Sequence, residues 1–187
     1  TKSPEWTKRL ILRFSATVYD PLGLIAPFSI RSRLILQSLW QQKLDWDDKI
    51  DAKHKELWNK WLSDLFKLAE SFTIPRCLGF KKDRSFELHI FSDASTLAFA
   101  ACCYTRVIDS KESREEKVHQ VTLVTARARV APTKPETIAR LELCGCVIAV
   151  RLGCAVAMAL NCAAENVYYW TDSTNCLDWI NTPARDL

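Results

Sequence analysis

Glycine is scarce in this chain, four residues in 187, and methionine occurs once. That scarcity argues against a Gly-rich linker, a collagen-like repeat or another low-complexity segment. No run of about 18 uninterrupted apolar residues appears, and the first nine residues are polar and basic without an apolar signal core. A soluble, unsecreted protein without a membrane partner is the expectation. Histidine is also sparse, with only His54, His89 and His119, and none stands at zinc-ligand spacing from a cysteine pair. The eight cysteines show no C-x-x-C pair and lie in apolar stretches, so they are expected to be reduced and buried, which suits a cytoplasmic or nuclear protein.

What is present fits a globular chain. Hydrophobic residues make up 48% and charged residues 26%, enough apolar material for one large or two small cores. The net charge of +4 hides an asymmetry: residues 1–85 carry 16 Lys and Arg against 10 Asp and Glu, whereas residues 86–187 carry 10 against 12. A basic arm beside an acidic-centred domain suits a protein that attracts phosphates with one part and binds metal with the other.

The hydrophobic period changes along the chain. Residues 7–19 are basic and apolar, and Asp20-Pro21-Leu22-Gly23 reads as a turn because proline fixes one dihedral and glycine frees another. A helix resumes at Pro27 and runs to Gln41, with Arg31 and Arg33 left toward solvent or a ligand. The clearest helix spans 51–72, where Leu57, Trp61, Leu65 and Leu68 recur beside Trp58, Leu62 and Phe66 as a core stripe. Ile74-Pro75-Arg76 breaks that pattern, and residues 81–84 are polar turn material, placing a domain boundary near 84.

Beyond 84 the period becomes that of strands, at 86–92, 98–107 and 118–130, expected to be consecutive and antiparallel. A long helix over 137–160, a strand over 167–170 and a helix over 173–180 follow. The order β-β-β-α-β-α predicts an α/β domain, a mixed sheet with helices packed on it, over 85–187.

Three carboxylates stand out. Asp93 ends an apolar strand in Phe91-Ser92-Asp93-Ala94-Ser95, Asp172 ends another in Trp170-Thr171-Asp172-Ser173, and Glu142 lies near the start of the long helix. Carboxylates beside so much apolar surface are costly unless neutralised, and three can share one cation. A donor set of Asp and Glu without His or Cys suits Mg²⁺ or Mn²⁺. Two such ions about 3.5–4 Å apart can orient a water and stabilise a leaving oxygen at a phosphodiester. Gly145, Cys146 and Ala149 follow Glu142 on one helical face, so the helix can approach the sheet closely. Each acid taken alone reads better as a cap or turn residue, and the three together in this element order reverse that preference.

Seven motifs in order carry a resemblance: Tyr19-Asp20-Pro21-Leu22-Gly23-Leu24 with Ala26-Pro27, Leu44-Asp45-Trp46-Asp47, Ile74-Pro75-Arg76, the Asp93 motif, Arg129-Val130-Ala131-Pro132, Arg140-Leu141-Glu142-Leu143 and the Asp172 motif. Residues 8–180 resemble the polyprotein of BEL/Pao-type long-terminal-repeat retrotransposons, and the second half resembles a ribonuclease H domain.

The resemblance implies that residues 1–84 are a thumb- or connection-like helical region following the reverse-transcriptase palm and gripping the template–primer duplex. Arg9, Arg13, Arg31 and Arg33 are then the expected phosphate contacts, which position a duplex without reading its sequence. Asp93, Glu142 and Asp172 become catalytic metal ligands for hydrolysis of the RNA strand of an RNA–DNA hybrid, in a cytoplasmic virus-like particle or the nucleus. Such domains carry a fourth acid well downstream. This chain ends 15 residues after Asp172, and neither Asp178 nor Asp186 matches that position. The resemblance thus implies a C-terminally incomplete ribonuclease H-like domain, with the remaining segment and an integrase downstream, and little cleavage by the chain alone. A noncatalytic nucleic-acid-binding or structural remnant is the alternative. The family region is also often labelled a peptidase, but an aspartic peptidase needs Asp-Ser/Thr-Gly turns, and the sequence has none.

Overall fold

A computed structural model describes residues 5–79, 85–108 and 120–182, and these divide into two compact units. The first comprises residues 1–21 and 25–74, and the second comprises 22–24 and 75–187. The division by packing thus falls between Ile74 and Pro75, earlier in the chain than the boundary near 84 read from composition. The polar turn at 81–84 lies outside the described residues.

The first unit is helical: α1 (Lys8–Thr17), α2 (Ala26–Gln41) and α3 (Ala52–Ser71). Local chemistry sets each start. The Thr7 side chain caps α1 by accepting from the Leu10 N–H, proline sits in the first turn of α2, and the Asp51 carboxylate accepts from the His54 N–H at the head of α3. Asp20 accepts from the Ile25 N–H at 3.0 Å, fixing the approach to α2. The core holds Ile11, Leu39, Trp58 and Trp61, with the two indoles stacked 4.8 Å apart. This corrects the stripe read from the sequence. Trp58 and Trp61 are buried, whereas Leu57 and Phe66 are exposed. Two overlapping apolar stripes ran along α3, and the tryptophans face the core because they bury more area.

The second unit contains the mixed sheet, with β1 (Ser85–Ala94), β2 (Ala98–Ile108), β3 (Gln120–Val130) and β4 (Val167–Trp170) in the order β3-β2-β1-β4. β1 pairs antiparallel with β2 and parallel with β4, and β2 pairs antiparallel with β3. Helices α4 (Ile138–Leu160) and α5 (Thr174–Asn181) complete the expected element order. Leu88, Ile90, Ala101 and Cys103 of the sheet pack against Ala149, Leu152 and Val156 of α4. By length and composition α4 could cross a membrane, but it packs along the sheet through small residues, as a core helix does. Along the edge of β3 the Leu22 carbonyl accepts from the Ala126 N–H at 2.8 Å and from the Thr125 hydroxyl at 2.6 Å. Gly23 makes that approach possible, because its φ is +69° and an added Cβ would strike the Ala126 carbonyl.

All eight cysteines are free, but only Cys103 and Cys176 are buried, and Cys77 and Cys154 are exposed. Apolar sequence context overstated their burial because one face of a half-buried helix or strand is enough to satisfy that context.

Candidate active site

The parallel pairing of β1 with β4 sets the site. Its last register pair is Phe91 with Trp170, whose rings stack 6.1 Å apart at 14°. Asp93 and Asp172 each lie two residues beyond that pair, so they leave neighbouring chains at the same level. Side chains alternate along a strand. Ser92 turns its Oγ toward α4, 3.6 Å from the Cys146 Sγ, and pleating therefore directs Asp93 to the opposite face. The Asp93 carboxylate accepts from the Ala94 N–H at 2.6 Å and is exposed, as is Asp172. Exposure removes the desolvation argument made from the sequence, since a hydrated carboxylate needs no cation to offset burial.

Glu142 arrives from the other side of the sheet. Below it, Gly145 lets α4 cross the end of β1 closely: an added Cβ would lie 3.3 Å from the Asp93 carbonyl oxygen and 3.6 Å from that of Ala100. The close approach expected from the small-residue face is present. Glu142 is half-buried, and its Oε2 accepts a 2.6 Å hydrogen bond from the Ser173 hydroxyl. Ser173, only 4% exposed, also caps α5 by accepting from the Cys176 N–H at 3.2 Å. Ser173, directly after Asp172, therefore ties the start of α5 to α4 near its beginning. Sequence reasoning gave Ser173 no role, although a serine just before an apolar helical run is a cap signal.

The three acids thus gather at one end of the sheet, two from strand ends and one from a helix start. Their side chains do not form a single donor set. Among the described residues no group of three or more His, Cys, Asp or Glu side chains stands where it could hold a metal ion. The donor chemistry suits a hard divalent ion, whereas the side-chain arrangement does not fit one. An open cleft of about 520 Å³ lies at the far end of α4, lined by Met158, Asn161 and Tyr169 among others, and contains none of these acids.

Of the four arginines expected at phosphates, Arg9 pairs with both carboxylate oxygens of Asp47 at 2.7 and 2.9 Å and lies over the Trp46 ring. Arg31 is 3.5 Å from Asp64 and sits against Phe28. Arg13 and Arg33 are exposed. Exposed ion pairs of this kind are weak, so a phosphate can compete for them.

Three antiparallel strands, a long helix, a strand returning parallel to the first, and acids at the ends of those two strands define a ribonuclease H-like domain, a nuclease-type fold. The family model described as Pao retrotransposon-like RNaseH-like domain matches residues 7–173, and the chain belongs to that family. No curated protein matches it.

Proposed function

We propose that this chain supplies the ribonuclease H step of a retrotransposon Pol polyprotein, cutting the RNA strand of RNA–DNA hybrids, with Asp93, Glu142 and Asp172 as its acidic centre. The observation that carries the reading is the equal level of Asp93 and Asp172 beyond the Phe91–Trp170 pair, with Glu142 held at the same end of the sheet by its bond from Ser173, the residue after Asp172. Family membership supports the retrotransposon setting. In that setting the reverse-transcriptase palm precedes this region, further ribonuclease H sequence and an integrase follow it, and replication proceeds in a cytoplasmic particle or the nucleus. Arg9, Arg13, Arg31 and Arg33 contact the phosphates of hybrid and template–primer duplex. Their contribution is electrostatic and falls with salt.

The lack of a single donor set among the described residues favours a second reading for the chain on its own, a nucleic-acid-binding or structural module without turnover. One assay separates the two. A labelled RNA–DNA hybrid is incubated with Mg²⁺ or Mn²⁺ and either this chain or a longer Pol protein that contains it. The chain alone should bind without appreciable cleavage, and the longer protein should cut the RNA strand. Asp93→Asn in the longer protein should abolish cleavage and leave hybrid affinity nearly unchanged, because the arginines are untouched. Undiminished cleavage by that variant would remove Asp93 from the centre. Binding without cleavage by the longer protein would establish the noncatalytic reading.

A further inference from the structure

In the helical unit, Ser38, His54 and Asp51 form a hydrogen-bonded chain that the nuclease reading does not use. Ser38 lies in the last turn of α2, Asp51 caps α3, and His54 is in the first turn of α3. The Ser38 Oγ is 2.6 Å from His54 Nε2, and His54 Nδ1 is 2.7 Å from Asp51 Oδ2. The carboxylate is itself fixed, since Asp51 Oδ1 accepts from the His54 N–H at 2.8 Å and Oδ2 from Gln42 Nε2 at 2.9 Å. Those bonds, led by the His54 backbone N–H, hold the Asp51 carboxyl well below the usual range, so it stays an acceptor.

An acceptor at Nδ1 selects the tautomer that carries its proton there and leaves the Nε2 lone pair facing Ser38. The order of hydroxyl, imidazole and orienting carboxylate is the one that activates a serine for attack. A cap at α3 needs only Asp51. The Ser38 hydroxyl is also within hydrogen-bond distance of the Ile35 carbonyl in its own helix, at 3.0 Å, a longer contact than the one with the imidazole. Ser38 is half-buried, His54 is buried and Asp51 is exposed, so the imidazole lies shielded between a hydroxyl and a carboxylate that both reach solvent.

We propose that Ser38 is an activated nucleophile, a site of covalent modification by acyl or phosphonyl electrophiles, with His54 as its base. In the step, Ser38 Oγ forms a bond to the electrophilic carbon or phosphorus. The bond to the leaving group breaks, the leaving group departs with the electron pair, and the Ser38 proton passes to His54 Nε2. The last turn of a helix presents carbonyls rather than N–H groups, so this position lacks the donors that would stabilise an oxyanion through repeated turnover. The reaction accordingly stops at one adduct per chain.

The test treats the full chain near neutral pH with an alkyl fluorophosphonate, which loses fluoride on attack, and maps the adduct by peptide mass spectrometry. One equivalent should appear on Ser38 before any other serine, and urea unfolding should abolish that selectivity. His54→Gln should slow Ser38 labelling roughly 100-fold, the range expected for loss of a general base. Absent or unselective labelling of the folded wild-type chain would overturn the proposal without any variant. So would an unchanged Ser38 rate in a His54→Gln protein that keeps its helical circular dichroism.

Discussion

The two units reach stability by opposite routes. The helical unit is filled with large rings: Trp58 and Trp61 are buried and stacked, and Trp6 and Phe14 meet Trp58 edge to face. The sheet unit uses small groups where its layers meet, with Ala149 of α4 clustered with Ala101 and Cys103 of β2, Gly145 close to the Asp93 and Ala100 carbonyls and Gly153 against Tyr169, and backbone ladders join its strands. A core of few large side chains is vulnerable at single positions, whereas close backbone approach is vulnerable to added volume. The carboxylates proposed for chemistry sit where α4 comes down on the strands, and that approach depends on small residues.

The sharpest test of the contrast is truncation. Trp58→Ala should cost about 3–5 kcal/mol of helical-unit stability, as loss of a buried aromatic does. Urea denaturation followed by far-UV circular dichroism measures it, and a cost below about 1 kcal/mol would show that the rings are not the main support. The opposite operation, Gly23→Ala, should destabilise the sheet unit by roughly 1–3 kcal/mol, through its positive φ and the collision with the Ala126 carbonyl. Amide hydrogen exchange should show protection lost at Ala126, whose N–H bonds to Leu22. Unchanged protection there would mean that Leu22 does not close the edge of β3.

Thiol chemistry sharpens the comparison within the sheet unit. Burial pushes the Cys103 thiol up to about 12, so almost no thiolate exists near pH 8 and a disulfide reagent should reach it only after unfolding. The exposed Cys77 and Cys154 should react first. Equal native rates at Cys103 and Cys154 would contradict the packing of β2 under α4.

The smallest expected effect concerns acid. Asp51 has its folded pKa depressed by its hydrogen bonds, so its contribution is complete above the unfolded value, near 4. It is lost as pH falls from there through the folded value. Asp51→Asn should flatten the acid limb of helical-unit stability below about pH 4, read from urea midpoints across that range. An identical acid limb in wild type and variant would remove Asp51 from the account.

Much of this architecture was legible in the residues. The strand 167–170 was bounded correctly, and α4 was placed to within one residue of its start, because β-branched and aromatic runs and a Thr cap are local signals. The facing side of α3 was not legible, since Leu57 and Trp58 both fit a helical stripe and only packing chooses between them. The acids were identifiable as residues at element ends. Their exposure was not, because apolar neighbours in sequence alternate between two faces in space. The Ser38–His54–Asp51 relay left no readable signal, since Ser38 and His54 are 16 positions apart and lie on different helices.

The sequence by itself determined the element order, the two modes of packing and membership in the Pao retrotransposon-like family, because period, caps and motifs are written along the chain. Tertiary structure alone decided that β4 returns parallel beside β1, that Asp93 and Asp172 stand level at their ends, and that Ser173 takes hold of Glu142. Those are relations between segments far apart in sequence. They exist only once burial of the α4 face against the sheet has fixed which strands are neighbours and in what register.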